Sequence, residues 1–222
     1  MARLHIAFVS AALASAALAL SACDPPATVE AYKVVPISPF MGMPVLGDAN
    51  APVELTEYAS TTCSHCKAFH DEVFPQLKDK YIDTGKVKLV WAVMPTQPTG
   101  ISLAGAAIAR CAGEQHFFAV IDTLFDEQDK LFELASNPPA LLQEFFAIGA
   151  KYNLTHDQVG TCLDSEEINK LTREGVKAAP ASITGTPSFV IKGEKLEIET
   201  FEGLAAAIDA ELAGVVQPAA PN

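Results

Sequence analysis

Basic residues are scarce in this chain: 15 Lys and Arg stand against 27 Asp and Glu, for a formal net charge of −12. No basic run occurs anywhere, which argues against a nucleic-acid partner, because phosphate binding needs clustered Lys and Arg. The acidity reads instead as a solvated surface. Long apolar runs are equally few. The best candidate, Ile6 to Leu20, is dominated by Ala and Leu and falls short of the roughly 20 residues a membrane helix needs. With Arg3 as a short basic lead, Met1 to Ala22 reads as an export signal, which implies passage to an oxidising compartment. Cysteine is sparse too: the chain has five, an odd number. What is plentiful is apolar side chain, at 50% of 222 residues. That is enough for one substantial core, and one domain with an insertion is favoured over two domains.

Two of the five cysteines stand in Cys63-Ser64-His65-Cys66. A C-x-x-C pair closes a disulfide across one helical turn as readily as it supplies half a zinc site, so its context decides. Val53 to Ala59 reads as a strand, Ser60 to Thr62 as a loop, and Ser64 to about Lys80 as a helix with Phe69, Val73, Leu77 and Tyr81 at helical spacing. The pair therefore opens a helix. There the free N–H groups and the positive end of the helix dipole favour an anion, which lowers the pKa of Cys63 and makes it the nucleophile. His65 adds a donor or a positive charge beside it. Cys66, a turn deeper, is the resolving thiol. Stabilising the thiolate stabilises the reduced form, so the pair is expected to act as an oxidant.

Strand, C-x-x-C with His before the second Cys, a long helical stretch and then Gly185-Thr186-Pro187-Ser188-Phe189 together resemble the DsbA family of thiol:disulfide interchange proteins. The resemblance spans roughly Val45 to Leu212. It implies an α/β thioredoxin-like fold with an inserted helical domain, and a redox site needing no cofactor and no metal. It also implies roles for three more residues. Glu57 matches the family's acidic side chain beneath the active-site disulfide, and Pro187 matches the cis-proline that faces the C-x-x-C and helps hold substrate, with Thr186 before it. Two departures stand out: Ser-His replaces the Pro-His common in the family's oxidases, and Thr186 stands where Val is frequent. Threonine there is also seen in related isomerases and reductases. The implied partners are unfolded or reduced exported proteins and a membrane DsbB-like protein that reoxidises the site. Reductase or isomerase action is the alternative on the same fold. A thiolate protein holding a metal such as Cu(I) is the alternative of another class, and a substrate-docking chaperone is a third.

The end of the signal, Leu20-Ser21-Ala22-Cys23, resembles a bacterial lipobox, in which the cysteine is lipidated and becomes the mature N-terminus. Asp24 after it resembles the signal that keeps lipoproteins in the inner membrane of Gram-negative bacteria. These features predict a periplasmic protein anchored by lipid on Cys23; the competing reading is ordinary cleavage near Ser21 or Ala22. Cysteine parity favours lipidation. With Cys23 acylated and Cys63 and Cys66 in the redox site, Cys111 and Cys162 are left to pair in a structural disulfide. Two separate buried thiols are the alternative. A zinc site made of all four is disfavoured, because the second pair lies far apart in sequence.

The rest of the chain falls into segments. Residues 23–44 form a Pro-rich linker expected to be extended, too short for a dimerising domain, so a monomer is expected. Residues 45–94 and 180–214 form the thioredoxin-like part, with a short strand near Val45 and a buried strand over Val87 to Val93. Residues 95–179 form the helical insertion. Ser102 is expected to cap its first helix, Pro138-Pro139 to open a later one and Thr155 to cap another. Its aromatic stripe is read as core. Phe189 to Ile191 and Leu196 to Ile198 read as a hairpin around Lys192-Gly193-Glu194-Lys195, followed by a helix from Phe201 to Leu212 that ends before Gly214. Pro75 is expected to kink the active-site helix. His70, His116 and His156 are expected at the surface, and residues 215–222 are expected to form a disordered tail.

Overall fold

Val53, Leu55, Glu57 and Ala59 alternate with more exposed neighbours, the period-2 pattern of a strand with one face in the core. The computed structural model describes Pro39, residues 41–198 and residues 200–215. The stretch expected to be an export signal, Cys23, most of the expected linker and the residues beyond Val215 lie outside the described residues. A short strand β1 (Val45–Leu46) precedes β2 (Val53–Ala59), which runs parallel to β3 (Val87–Val93) in unbroken register from Val53 opposite Val87 to Ala59 opposite Val93. Strands β4 (Ser188–Ile191) and β5 (Glu194–Leu196) complete a mixed sheet of order β1-β3-β2-β4-β5. The outer pairings are antiparallel. This is the thioredoxin-type sheet, with β2 flanked on both sides.

Between β2 and β3 the chain forms α1 (Ser64–Glu72) and α2 (Phe74–Leu77), then a π-helical turn over Lys78–Ile82. The single kinked helix expected here is in fact broken. Pro75 has no N–H and its ring collides with the carbonyl four residues back, so α1 ends at Glu72 and Pro75 takes the first turn of α2. The helical segment follows as α3 (Thr99–Cys111), α4 (Phe117–Asp126), α5 (Gln128–Glu133), α6 (Pro138–Ala150), α7 (His156–Leu163) and α8 (Glu166–Ala178). Pro138 and Pro139 do open α6 behind an Asn137 cap. Thr155 caps α7 in a reciprocal box with Gln158. Ser102 caps nothing: α3 begins three residues earlier, after a cis Gln97–Pro98 bond, and Ser102 is buried within it. The Cys111 and Cys162 sulfurs are bonded at 2.05 Å, joining the end of α3 to α7.

Two further boundaries differ from expectation. The hairpin turn is only Lys192-Gly193, with φ of 51° and 85°, so β5 starts at Glu194. Two consecutive left-handed residues match the twist of the flanking strands, and Gly193 accepts that conformation without strain. The last helix, α9 (Phe201–Val215), runs through Gly214 instead of stopping before it. The end of the linker is tied down: the Pro44 carbonyl accepts from Trp91 N–H at 3.0 Å, and the Gly42 carbonyl accepts from Arg110 Nη1 at 3.0 Å.

Two apolar clusters share the interior. One gathers Leu55, Phe69, Leu77, Tyr81, Phe189 and Ile208 around the sheet, α1, α2 and α9. The other gathers Ile108, Phe117, Leu124, Phe125, Ile148 and Val159 from the helical segment and reaches the sheet at Ala59 and Trp91. Cys66 belongs to the second cluster and Phe69 to the first. Helix α1 is thus wedged where the two cores meet, and fully burying each such side chain contributes about 1.5–3 kcal/mol to holding it there.

Candidate active site

Cys63 is the cap of α1, with extended backbone (φ −93°, ψ 121°), and its Sγ accepts from the Cys66 N–H at 3.4 Å. A cysteine in the place of a capping serine puts sulfur at the positive end of the helix. Cys63 is half-buried, Cys66 is buried, and both are free thiols in this structure. The Thr186 carbonyl lies 3.2 Å from Cys63 Sγ and accepts its proton when the thiol is intact. The Thr186–Pro187 bond is cis, which brings this loop against the sulfur.

The two sulfurs are driven apart in acidity. A hydrogen bond from the Cys66 thiol is the main influence that lowers Cys63 to about 5 from an ordinary 9.0; burial opposes it, and hydrogen bonds from Thr186 and from the Cys66 and His65 backbones add to it. Cys66 is pushed far up, first by its bond to Cys63, then by burial, with the charge of Glu57 contributing. Of the two, the outer sulfur is the more readily ionised and the inner one holds its proton. His65 is exposed, and its backbone N–H is among the groups that lower Cys63.

This asymmetry predicts a pH dependence for the reduced chain. Alkylation of Cys63 by iodoacetamide should rise with pH and reach half its maximum near pH 5. Because the folded pKa lies below the unfolded value, the thiolate stabilises the folded reduced form fully above about pH 9, and that stabilisation is lost as pH falls through about 5. The oxidised form lacks the group. The melting temperature of reduced minus oxidised protein should therefore fall on acidification across that window; a difference that does not change would contradict the assignment.

A polar scaffold holds the loop before α1. Ser60 Oγ lies 3.0 Å from Thr62 Oγ1 and 2.8 Å from Ser102 Oγ, and it accepts from Thr96 N–H at 3.2 Å. Thr62 Oγ1 donates to the Thr96 carbonyl at 3.0 Å. Gln128, buried at the start of α5, donates Nε2 to the Thr61 carbonyl at 2.8 Å and the Cys63 carbonyl at 3.2 Å. The helical segment therefore grips the active-site loop directly. Sequence reading missed Gln128 and the inward role of Ser102. The signal for Gln128 was its place on the Leu124, Gln128, Leu131 stripe, whose spacing puts it on the buried face.

Glu57 is fully buried on β2, and its Oε2 lies 3.3 Å from His70 Nε2. His70, expected at the surface, is buried. Its position four residues after Cys66 and three before Val73 puts it on the inward face of α1, where Phe74, Trp91 and Phe125 surround the ring. His116 is half-buried and His156 exposed. Beside Cys63 a groove of about 380 Å³ is lined by His65, Phe69, Val73, Pro187, Phe189 and Leu204 among others. Among the described residues, no group of three or more His, Cys, Asp or Glu is arranged to hold a metal. Cys23 lies outside them.

Residues 41–210 match the profile of the thioredoxin family described as Thioredoxin. A Bacillus anthracis protein named for disulfide bond formation protein D is 30% identical over 171 residues, covering 75% of this chain and 77% of its own length. The chain belongs to the DsbA-type thioredoxin family. A Rickettsia bellii protein named for protein-disulfide oxidoreductase is 32% identical over 169 residues, covering 74% of this chain and 62% of its own. The chain thus spans about three fifths of the length of the Rickettsia relatives it matches. The crystal structure of Wolbachia pipientis alpha-DsbA1 superposes with a TM-score of 0.67 at 28% identity, over 82% of this chain and 96% of that one. The DsbA-type fold, with its helical segment between β3 and β4, is the one built above from local rules.

Proposed function

We propose that the chain is a thiol:disulfide oxidoreductase that introduces disulfides into exported proteins through Cys63 and Cys66. The observation that carries this reading is the placing of the two sulfurs: Cys63 is half-buried at the cap of α1 with its Sγ accepting from the Cys66 N–H, and Cys66 is buried a turn inside. This placing lowers the pKa of the first and raises that of the second. A client thiolate attacks Cys63 Sγ of the oxidised pair and expels Cys66, giving a mixed disulfide. The client's second thiolate then attacks its own sulfur in that bond and expels Cys63, a good leaving group because its thiolate is stable. The client leaves oxidised and the pair reduced. Glu57 exchanges the proton of Cys66; Thr186 and Pro187 line the groove in which an extended client segment docks. Thr186, whose carbonyl lies 3.2 Å from Cys63 Sγ, is the residue that the reductase or isomerase alternative has in its favour.

The setting follows from the same reading. The site works in the periplasm on unfolded or reduced exported proteins, with lipid on Cys23 holding the monomer at the inner membrane and a DsbB-like membrane protein reoxidising it. No helix among the described residues is long and apolar enough to cross a membrane. The test is to mix the oxidised chain with a reduced, unfolded protein carrying two cysteines. Stoichiometric transfer of the disulfide to the client is expected; a client that stays reduced would overturn the proposal.

A further inference from the structure

Cys66 poses a proton problem that its own surroundings do not solve. It is fully buried, yet it must gain a proton each time it leaves the disulfide and lose one each time it re-forms it. Glu57, the buried acid whose charge acts on it, is itself sealed from solvent. A carboxylate enclosed in a core exchanges protons only through a neighbour.

That neighbour is His70, whose Nε2 faces Glu57 Oε2 at 3.3 Å and whose Nδ1 faces Asp122 Oδ1 at 3.9 Å. The Asp122 side chain, on α4, is 58% exposed, against 4% for His70 and 0% for Glu57. The 3.9 Å gap is one that a rotation of the exposed carboxylate or a single solvent molecule closes. Phe74 stacks on the ring at 4.7 Å, Phe125 lies against it at 4.6 Å, and Trp91 meets it edge-on at 5.5 Å. These contacts hold the two nitrogens toward the two acids and supply no charge. The atoms left over, Glu57 Oε1 and His70 Nδ1, are buried without a hydrogen-bond partner among the described residues. Imidazole takes a proton on one nitrogen and gives one from the other. The charged groups facing it are Glu57 from β2 and Asp122 from α4; Asp126 and Lys78 act in turn on Asp122.

We infer that Glu57, His70 and Asp122 form a proton path between the buried Cys66 and solvent, with His70 as the positioning residue that sets the speed of the resolving step. The inference rests on the exchange chemistry proposed above. When a client thiolate attacks Cys63, the Cys63–Cys66 bond breaks, Cys66 leaves with the electron pair, and a proton moves inward from Asp122 through His70 and Glu57 to neutralise it. In reoxidation the Cys66 proton leaves by the same route as its sulfur attacks Cys63 in a mixed disulfide and displaces the partner thiolate. Electrons are exchanged only between sulfurs.

The test follows the reduced full chain reacting with oxidised glutathione, which separates two steps: attack by Cys63, then displacement of glutathione by Cys66. His70→Gln should leave the first step unchanged and slow the second by about 10²-fold, the lower range for loss of a proton-transfer group. Asp122→Asn, at an exposed side chain, should slow the second step less and leave the fold intact. Imidazole added to His70→Ala should restore the second step, because it fills the site the ring vacated. Both steps slowed alike, no slowing in either His70→Gln or Asp122→Asn, or no rescue by imidazole would overturn the path. Should His70→Ala and His70→Gln fail to fold, Asp122→Asn alone decides, and a wild-type second step rate there overturns it. Absence of the first step in the unaltered chain would instead sink the exchange chemistry itself.

Discussion

Cys63→Ser is expected to abolish thiol–disulfide exchange, whereas Cys66→Ser should leave a chain that forms mixed disulfides and cannot resolve them with a thiol of its own. The first follows from the lowered acidity of Cys63: with a pKa of about 5, about 99% of it is thiolate at pH 7, against about 1% for an ordinary thiol near 9. A serine hydroxyl at the same cap accepts the Cys66 N–H but makes no S–S bond. The second follows from burial. Among the described residues only Cys66, a turn inside the helix, is a free thiol that reaches Cys63 Sγ, so without it a mixed disulfide waits for an outside thiol. Mass spectrometry of each variant after incubation with reduced and oxidised glutathione would read both outcomes. Exchange by Cys63→Ser at the normal rate would place the nucleophile elsewhere.

The second large effect concerns stability. The bond between Cys111 and Cys162 closes a loop of 51 residues, and on the chain-entropy model such a loop contributes about 4 kcal/mol by restricting the unfolded chain. Replacing both by alanine should lower the melting temperature by on the order of 10 °C for a chain of this size. The alkylation midpoint of Cys63 should stay near 5, because none of the groups that set it belongs to α7. A melting temperature unchanged in the double variant would mean that packing of α3 against α7 suffices without the bond.

How far the sequence alone reaches is clear from particular residues. Val53 to Ala59 and Val87 to Val93 are legible to the residue, the first by its alternating pattern and the second as a short apolar run after the Gly85 turn. The pairing of Cys111 with Cys162 is legible by counting. The cis Thr186–Pro187 bond comes only with the family resemblance, since nothing local distinguishes it from a trans bond. His70 and Gln128 are hidden by their chemistry: polar side chains suggest solvent, although their spacing lies on buried stripes. The Ser60, Thr62, Thr96 and Ser102 scaffold is hidden for another reason. Apart from the neighbouring Ser60 and Thr62, its partners lie between 34 and 42 residues apart, and no periodicity relates them. Pro75 and Gly214 show the limits of boundary signals: one proline restarts a helix it was expected to bend, and one glycine is carried inside the helix it was expected to end.

The central claim is that this pair is an oxidant because its reduced form is stabilised at Cys63. The measurement that tests it most directly is the equilibrium reduction potential of the Cys63–Cys66 pair against glutathione. DsbA itself lies near about −120 mV and thioredoxin near about −270 mV. The account predicts a value toward the first. A value near the second would show that the Cys63 thiolate is not held as the geometry implies, and would make the chain a reductase on the same fold.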